Sequence, residues 1–252
     1  PPFPLARLAV LVARMAKRAR HGSERATTRA AASRRGCLVA STRGIKARHR
    51  HLLRDLARLL PHGQPHSKVD TDEEGLSTMP ALCEQKHCST SLLLDARDPR
   101  RLYMWAAGCP DGPTVMFRVM NVHTVAELKL DARRIFGARN VVVFDEAFNE
   151  GADRRVMRAL LARIFSVPRH YEGLDPRAVS PATTPRASQQ APARHTINFS
   201  WLDGSIWLRV YRIEDHVARQ GELDVAEIGP RLVLSPIRII ASGFGGSVLH
   251  ST

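Results

Sequence analysis

Two strand-then-helix openings, at residues 37–60 and 141–166, point to a mixed α/β (α+β) fold for this 252-residue chain and hint at a duplicated unit. Asp203-Gly204 adds a hairpin to the second half, because both central positions of a type I′ turn need positive φ. A basic amphipathic helix over residues 5–20 precedes both, setting Leu5, Leu8, Val12 and Met15 against Arg7, Arg14, Lys17, Arg18 and Arg20. Behind that basic segment the core runs from about residue 36 to residue 243.

The first strand, residues 37–42, breaks at Ser41-Thr42-Arg43-Gly44 and feeds a helix over 45–60. At about 100° per residue, Ile45, Leu52, Leu53, Leu56, Leu59 and Leu60 share one arc. Arg43, Lys46, Arg50, Arg54 and Arg58 share another, and Asp55 is the only acid in the stretch, so intrahelical pairing does not explain the basic stripe. Cations in a first helical turn oppose the macrodipole at about 0.3–1 kcal/mol each. Lys46, Arg48 and Arg50 therefore call for a negative partner, and the free N–H groups of that turn suit phosphate. His49 falls on the apolar arc and reads as a core or interface histidine.

A polar stretch at 61–80 precedes a strand near 91–95 and a short helix around 100–107. Asp111-Gly112-Pro113 turns the chain into a strand over 114–122. In the second half, Val141 to Phe144 is a strand, and Glu150 and Asp153 open the helix at about 150–166 with acids that its dipole favours. Residues 172–194, rich in Pro, Ala, Ser and Thr, read as a flexible insertion. Strands at 196–201 and 205–211 flank the hairpin turn, with Trp201, Trp207 and Tyr211 as sheet-face packing. A strand pair at 223–228 and 231–240 surrounds Gly229-Pro230, and Gly243, Gly245 and Gly246 make a flexible tail around Phe244.

Lysine and arginine number 38 against 24 acids, for a net charge of +14 and a pI near 10.8. Such an excess favours nucleic acid or an anionic surface. No apolar run is long enough for a membrane span, so the chain reads as soluble with no membrane partner. Four cysteines and no secretory signal point to reduced thiols inside the cell. Cys83, Cys88 and Cys109 with His87 lack a paired CxxC, and read as packed thiols rather than zinc ligands. Nucleotide loops, zinc-protease helices and nucleophile elbows are missing from the sequence. Asp145, Glu146, Glu150 and Asp153 read as helix-start acids rather than metal ligands, and the histidines have no paired carboxylate. The expectation is a protein without catalytic residues, metal or cofactor. The chain opens on Pro1, as a fragment or processed chain does, and up to residue 50 its only acid is Glu24, a profile shared with mitochondrial transit peptides.

Taken together, Ser41-Thr42-Arg43-Gly44, Leu52-Leu53-Arg54-Asp55-Leu56, Gly112-Pro113-Thr114, Phe144-Asp145-Glu146-Ala147-Phe148 and Glu227-Ile228-Gly229-Pro230-Arg231 resemble the Brix-domain family of ribosome assembly factors. Order and spacing match from about residue 36 to residue 246. Tyr103-Met104-Trp105, Ser235-Pro236-Ile237-Arg238-Ile239 and Gly243-Phe244-Gly245-Gly246 point within the family to its Brix-proper branch.

The resemblance implies a basic extension (1–35), a domain over 36–246 of two similar α/β halves (36–132 and 133–246) related to anticodon-binding domains, and a tail (247–252), acting without catalysis in the nucleolus of the nucleus on precursors of the large ribosomal subunit. It implies as partners the pre-ribosomal RNA, ribosomal proteins and other assembly factors, one of the EBNA-binding-protein type. Arg43, Lys46, Arg48 and Arg50 match the family's basic strand-to-helix segment, and Arg231 and Arg238 its C-terminal basic strand pair. With Arg54 and Arg58 from the same helix, these are the expected RNA-binding residues. The insertion at 172–194 and the N-terminal helix depart from the family pattern. Two alternatives stand beside this reading: a protein-interaction scaffold within a ribonucleoprotein, and a mitochondrial RNA-binding protein with an N-terminal presequence.

Overall fold

The computed structural model describes residues 36–66, 69, 76–129, 139–168, 195–217 and 223–251, so the N-terminal extension and the insertion at 172–194 lie outside the described residues. The first strand, β1 (Gly36–Ser41), is buried along its whole length, as a Val/Leu/Ala run paired on both sides should be. It runs parallel to β2 (Gly63–Pro65) on one side and β3 (Cys88–Asp95) on the other. Between β1 and β2 lies α1 (Ala47–Leu59), entered through Gly44 at φ 81°. Leu52, Leu56 and Leu59 return at helical spacing and bury one face of α1 in the core.

A short helix, α2 (Met79–Gln85), leads into β3 and packs Met79 and Cys83 on the opposite face of the sheet. β4 (Leu102–Gly108) and β5 (Thr114–His123) follow antiparallel. Residues 102–107 are therefore strand where the sequence pattern favoured a short helix. Leu, Met and Ala are good helix formers, but hydrogen-bonded neighbours on both sides select the extended form. Leu102, Met104 and Ala106 then enter one core, while Trp105 and Ala107 enter the other. After β5, α3 (Val125–Leu128) is a single turn closed by a capping box between Thr124 and Glu127.

The second half repeats the plan. β6 (Asn140–Phe144) leads through a 3-10 turn (Glu146–Asn149) into α4 (Ala152–Phe165). β7 (His195–Leu202) is parallel to β6, and β8 (Ser205–Val217) returns through Asp203 and Gly204, whose φ angles of 49° and 68° are the positive pair the hairpin requires. β9 (Leu223–Glu227) and β10 (Arg231–Ile240) do not pair with each other, contrary to the pattern around Gly229-Pro230. They follow one another along the same edge of β8, and Gly229, at φ 74°, is a kink in that path. β11 (Val248–Ser251) folds back on β10, so residues 243–246 form a return rather than a loose tail. The Phe244 N–H donates to Thr114 Oγ1 at 2.9 Å, and its ring lies 6.4 Å from Trp105.

The strand order β2-β1-β3-β4-β5-β10-β8-β7-β6 shows the duplication. The series β1, α1, β3, β4, β5 recurs as β6, α4, β7, β8, β10, and β5 and β10 meet antiparallel in the middle. Even the latches correspond: Thr42 Oγ1, just past β1, accepts the Ala96 N–H at 2.8 Å, and Asp145 Oδ2, just past β6, accepts the Trp201 N–H at 2.5 Å. The sheet curls until its two ends touch. Asn140 Nδ2 at the start of β6 donates to the Leu59 carbonyl of α1 at 2.9 Å, and His62 Nε2 donates to the Ile164 carbonyl of α4 at 3.1 Å. Leucines of α1, Phe117 of β5, Phe165 of α4 and Phe199 of β7 consequently share one core. All four cysteines are buried free thiols, and burial pushes Cys37 and Cys88 up to about 12. No helix among the described residues is long and apolar enough to cross a membrane.

Two outcomes follow for stability. Phe199 stacks on Phe144 at 5.0 Å and meets Phe165 edge-on at 5.3 Å; Phe199→Ala should cost about 3–5 kcal/mol in urea unfolding, with both halves unfolding in one transition. Burial lowers the His62 imidazole to about 4 from 6.5, only partly opposed by its bond to Ile164. The folded state holds it neutral, so its contribution is complete above pH 6.5 and is lost as pH falls toward 4, by about 3 kcal/mol in all. Urea titrations from pH 7 to 4 should show this loss, and His62→Gln should flatten it.

Candidate nucleic-acid interface

The leading turn of α1 carries no acid, and its N-cap, Lys46, has extended backbone and no side-chain cap. This turn lies at the carboxyl ends of β1 and β3, beside the loop of residues 96–101 and the far end of β5. Together these elements enclose two adjoining cavities of about 340 and 440 Å³. Lys46, His49, Arg100 and Arg101 line both cavities. Arg48 and Arg118 belong to the smaller, and Arg43 and Arg97 to the larger.

Some of these cations are already engaged. Arg48 meets Glu127 of α3 at 2.8 Å and donates to the Val122 carbonyl, so its guanidinium bridges α1 to the end of β5. Arg97 pairs with Asp95 at 2.7 Å. Burial alone would raise the Asp95 carboxyl, but Arg97 and the Trp105 indole more than offset it and hold it low. Asp55, the acid within the helix, accepts the Val125 N–H at 2.9 Å, and burial raises its carboxyl against the pull of that bond and of Arg58 and Arg54 from the basic stripe. By contrast Lys46, Arg100 and Arg118 have no acidic partner among the described residues. Asp98 accepts the backbone N–H of Arg100 at 2.8 Å and fixes the loop that presents it. Burial, then Lys46 and Arg48, lower the His49 pKa, so its ring is neutral at pH 7.

The eight sequence-predicted arginines and lysines do not form one cluster. Arg43, Lys46 and Arg48 line the cleft, whereas Arg50, Arg54 and Arg58 lie exposed along α1 outside its walls. Arg231 is clasped by Glu227 at 2.8 Å, with Arg209 on the same carboxylate at 3.2 Å. Arg238 lies over the Trp105 ring at 4.9 Å. Sequence reasoning missed Arg97, Arg100, Arg101 and Arg118. The signal available was the Arg97-Asp98-Pro99-Arg100-Arg101 run directly after a strand, a turn sequence with three cations.

The equivalent edge of the second half has the opposite character. Asp145, Glu146, Glu150 and Asp153 stand where Arg43, Lys46 and Arg48 stand in the first. Glu150 pairs with Arg154 at 2.8 Å, and Arg154 also covers the Trp201 ring at 4.5 Å. No group of three or more His, Cys, Asp or Glu among the described residues is placed to hold a metal ion.

The Brix domain family model matches residues 42–238. Ribosome biogenesis protein BRX1 homologs from Dictyostelium discoideum and Homo sapiens are 35% and 36% identical to this chain over 214 and 213 residues. Those stretches cover 85% and 84% of this chain but 60% and 54% of the relatives, so the chain spans little more than half their length. Among solved structures, a probable ribosomal biogenesis protein from Aeropyrum pernix K1 aligns with a TM-score of 0.47 and 16% identity, over 79% of this chain and 95% of that one. The match runs from the latch residue Thr42 through both halves to Arg238 of β10, and on it, together with these identities, the chain belongs to the Brix domain family.

Proposed function

We propose that this chain is a non-catalytic, rRNA-binding assembly factor for the large ribosomal subunit, acting on pre-ribosomal particles in the nucleolus. The observation that carries the reading is the cleft at the carboxyl ends of β1 and β3, where Lys46, Arg100 and Arg118 converge from three separate elements without acidic partners among the described residues. Cations gathered in this way attract a polyanion and release its counterions. Relatives named ribosome biogenesis proteins support ribosomal RNA as that polyanion. The partners that fit are precursor rRNA of the large subunit, ribosomal proteins and a further assembly factor of the EBNA-binding-protein type. Within the proposed RNA-binding set, Arg43, Lys46, Arg50, Arg54 and Arg58 offer charge to phosphate, while Arg48, Arg231 and Arg238 hold the surrounding structure.

Crosslinking the protein to RNA in cells and sequencing the attached fragments should return large-subunit precursor rRNA; mitochondrial rRNA, or no RNA, would reject the assignment. In purified form, neutralising Arg43, Lys46 and Arg50 together should flatten the salt dependence of RNA binding by about 0.7 in log K against log salt for each phosphate left without its cation. Arg48→Ala should instead lower the thermal midpoint and leave that slope nearly unchanged.

A further inference from the structure

We infer that the cleft binds unpaired RNA, seating two consecutive nucleosides in its two cavities with the phosphodiester between them on the shared wall. The inference rests on the RNA-binding reading above and adds the form of RNA and the place where it sits.

The two cavities, of about 340 and 440 Å³, each match the lower range of small-ligand sites, roughly 300–1,000 Å³. One nucleoside suits each. The wall between them carries Lys46, Arg100 and Arg101, so positive charge is densest where a linking phosphate would lie. Leu102, Val119, Met120 and Val122 also line the smaller cavity and give it apolar surface for a base. Gly44, Ala96 and Pro99 do the same for the larger. Arginine guanidinium planes serve as stacking surfaces for unstacked bases; Arg118 lines the smaller cavity and Arg97, held on Asp95, the larger. His49 lines both cavities with a neutral ring, so it adds a polar edge without charge.

Duplex RNA does not fit this arrangement. Its bases are paired and stacked inside an A-form helix and its major groove is deep and narrow, so it offers phosphates and sugars but no free nucleoside. A purely electrostatic surface accepts either form; two apolar-floored cavities joined by a cationic wall do not.

Fluorescence anisotropy of the full chain tests this with a labelled ribo-oligonucleotide of roughly ten nucleotides, single-stranded or annealed to its complement. The single strand should bind about tenfold more tightly than the duplex, and Arg100→Ala with Arg101→Ala should weaken it about tenfold. Met120→Trp, which adds bulk beside the smaller cavity without changing charge, should weaken it severalfold; where that variant shifts the thermal midpoint, Arg118→Lys, which keeps the charge and removes the planar guanidinium at an exposed position, replaces it. Equal affinity for both RNA forms overturns the inference. So does full binding by Met120→Trp with weakening only in the charge variant, which means diffuse attraction. Binding that survives every cleft variant yet disappears when Arg50, Arg54 and Arg58 are neutralised sinks the cleft and leaves the RNA-binding reading standing. Failure of the unaltered chain to bind either RNA removes both.

Discussion

The antiparallel pairing of β5 with β10 is the contact on which the rest of the molecule depends. Each half alone would present an open strand at this position, with its ladder of backbone donors and acceptors unpaired. Joining them makes one sheet, and the curl of that sheet brings α1 and α4 into a single core with Phe117 and Leu234 from the two joining strands. The small polar contacts at the far ends, Asn140 to Leu59 and His62 to Ile164, are possible only because the curl has already brought those ends together.

Antiparallel joining has a geometric corollary. The parallel strands β1 and β3 run one way and β6 and β7 the other, so their carboxyl ends lie on opposite edges of the sheet. The same backbone plan therefore produces two strand-to-helix turns facing away from each other. Side chains give them different roles. In the first, cations face a cleft; in the second, acids stand at the start of α4, where the helix dipole favours them, with Arg154 and Arg158 close by. The latches that shape both turns, Thr42 and Asp145, illustrate the divergence: a neutral hydroxyl serves the basic edge and a carboxylate the acidic one.

Much of this was legible in the sequence, and what was not has a physical explanation. The strand at 37–42, the leucine stripe of α1 and the Asp203-Gly204 turn are set by local pattern, and the structure has them nearly where the pattern does. β4 was hidden because Leu-Tyr-Met-Trp-Ala-Ala suits either conformation locally, and its pairing with β3 on one side and β5 on the other decides. The cleft was half visible for the same reason. Arg43 and Lys46 sit in one contiguous motif, whereas Arg100 and Arg118 reach them only through the pairing of β3, β4 and β5. Arg48 shows a partner that the pattern could not: a charge against the helix dipole suggested an external anion, and Glu127, beyond any local window, meets it within the fold.

Among the described residues the opposed edges differ in charge, basic at the cleft and acid-leaning at the start of α4. In the field of a large polyanion such a body feels a torque as well as an attraction. On the proposed RNA-binding reading, the described body would turn cleft-first before contact, which cuts the orientational search that slows most macromolecular encounters. Two turns drawn from one backbone plan thus give the described body a direction in charge that the plan itself does not have.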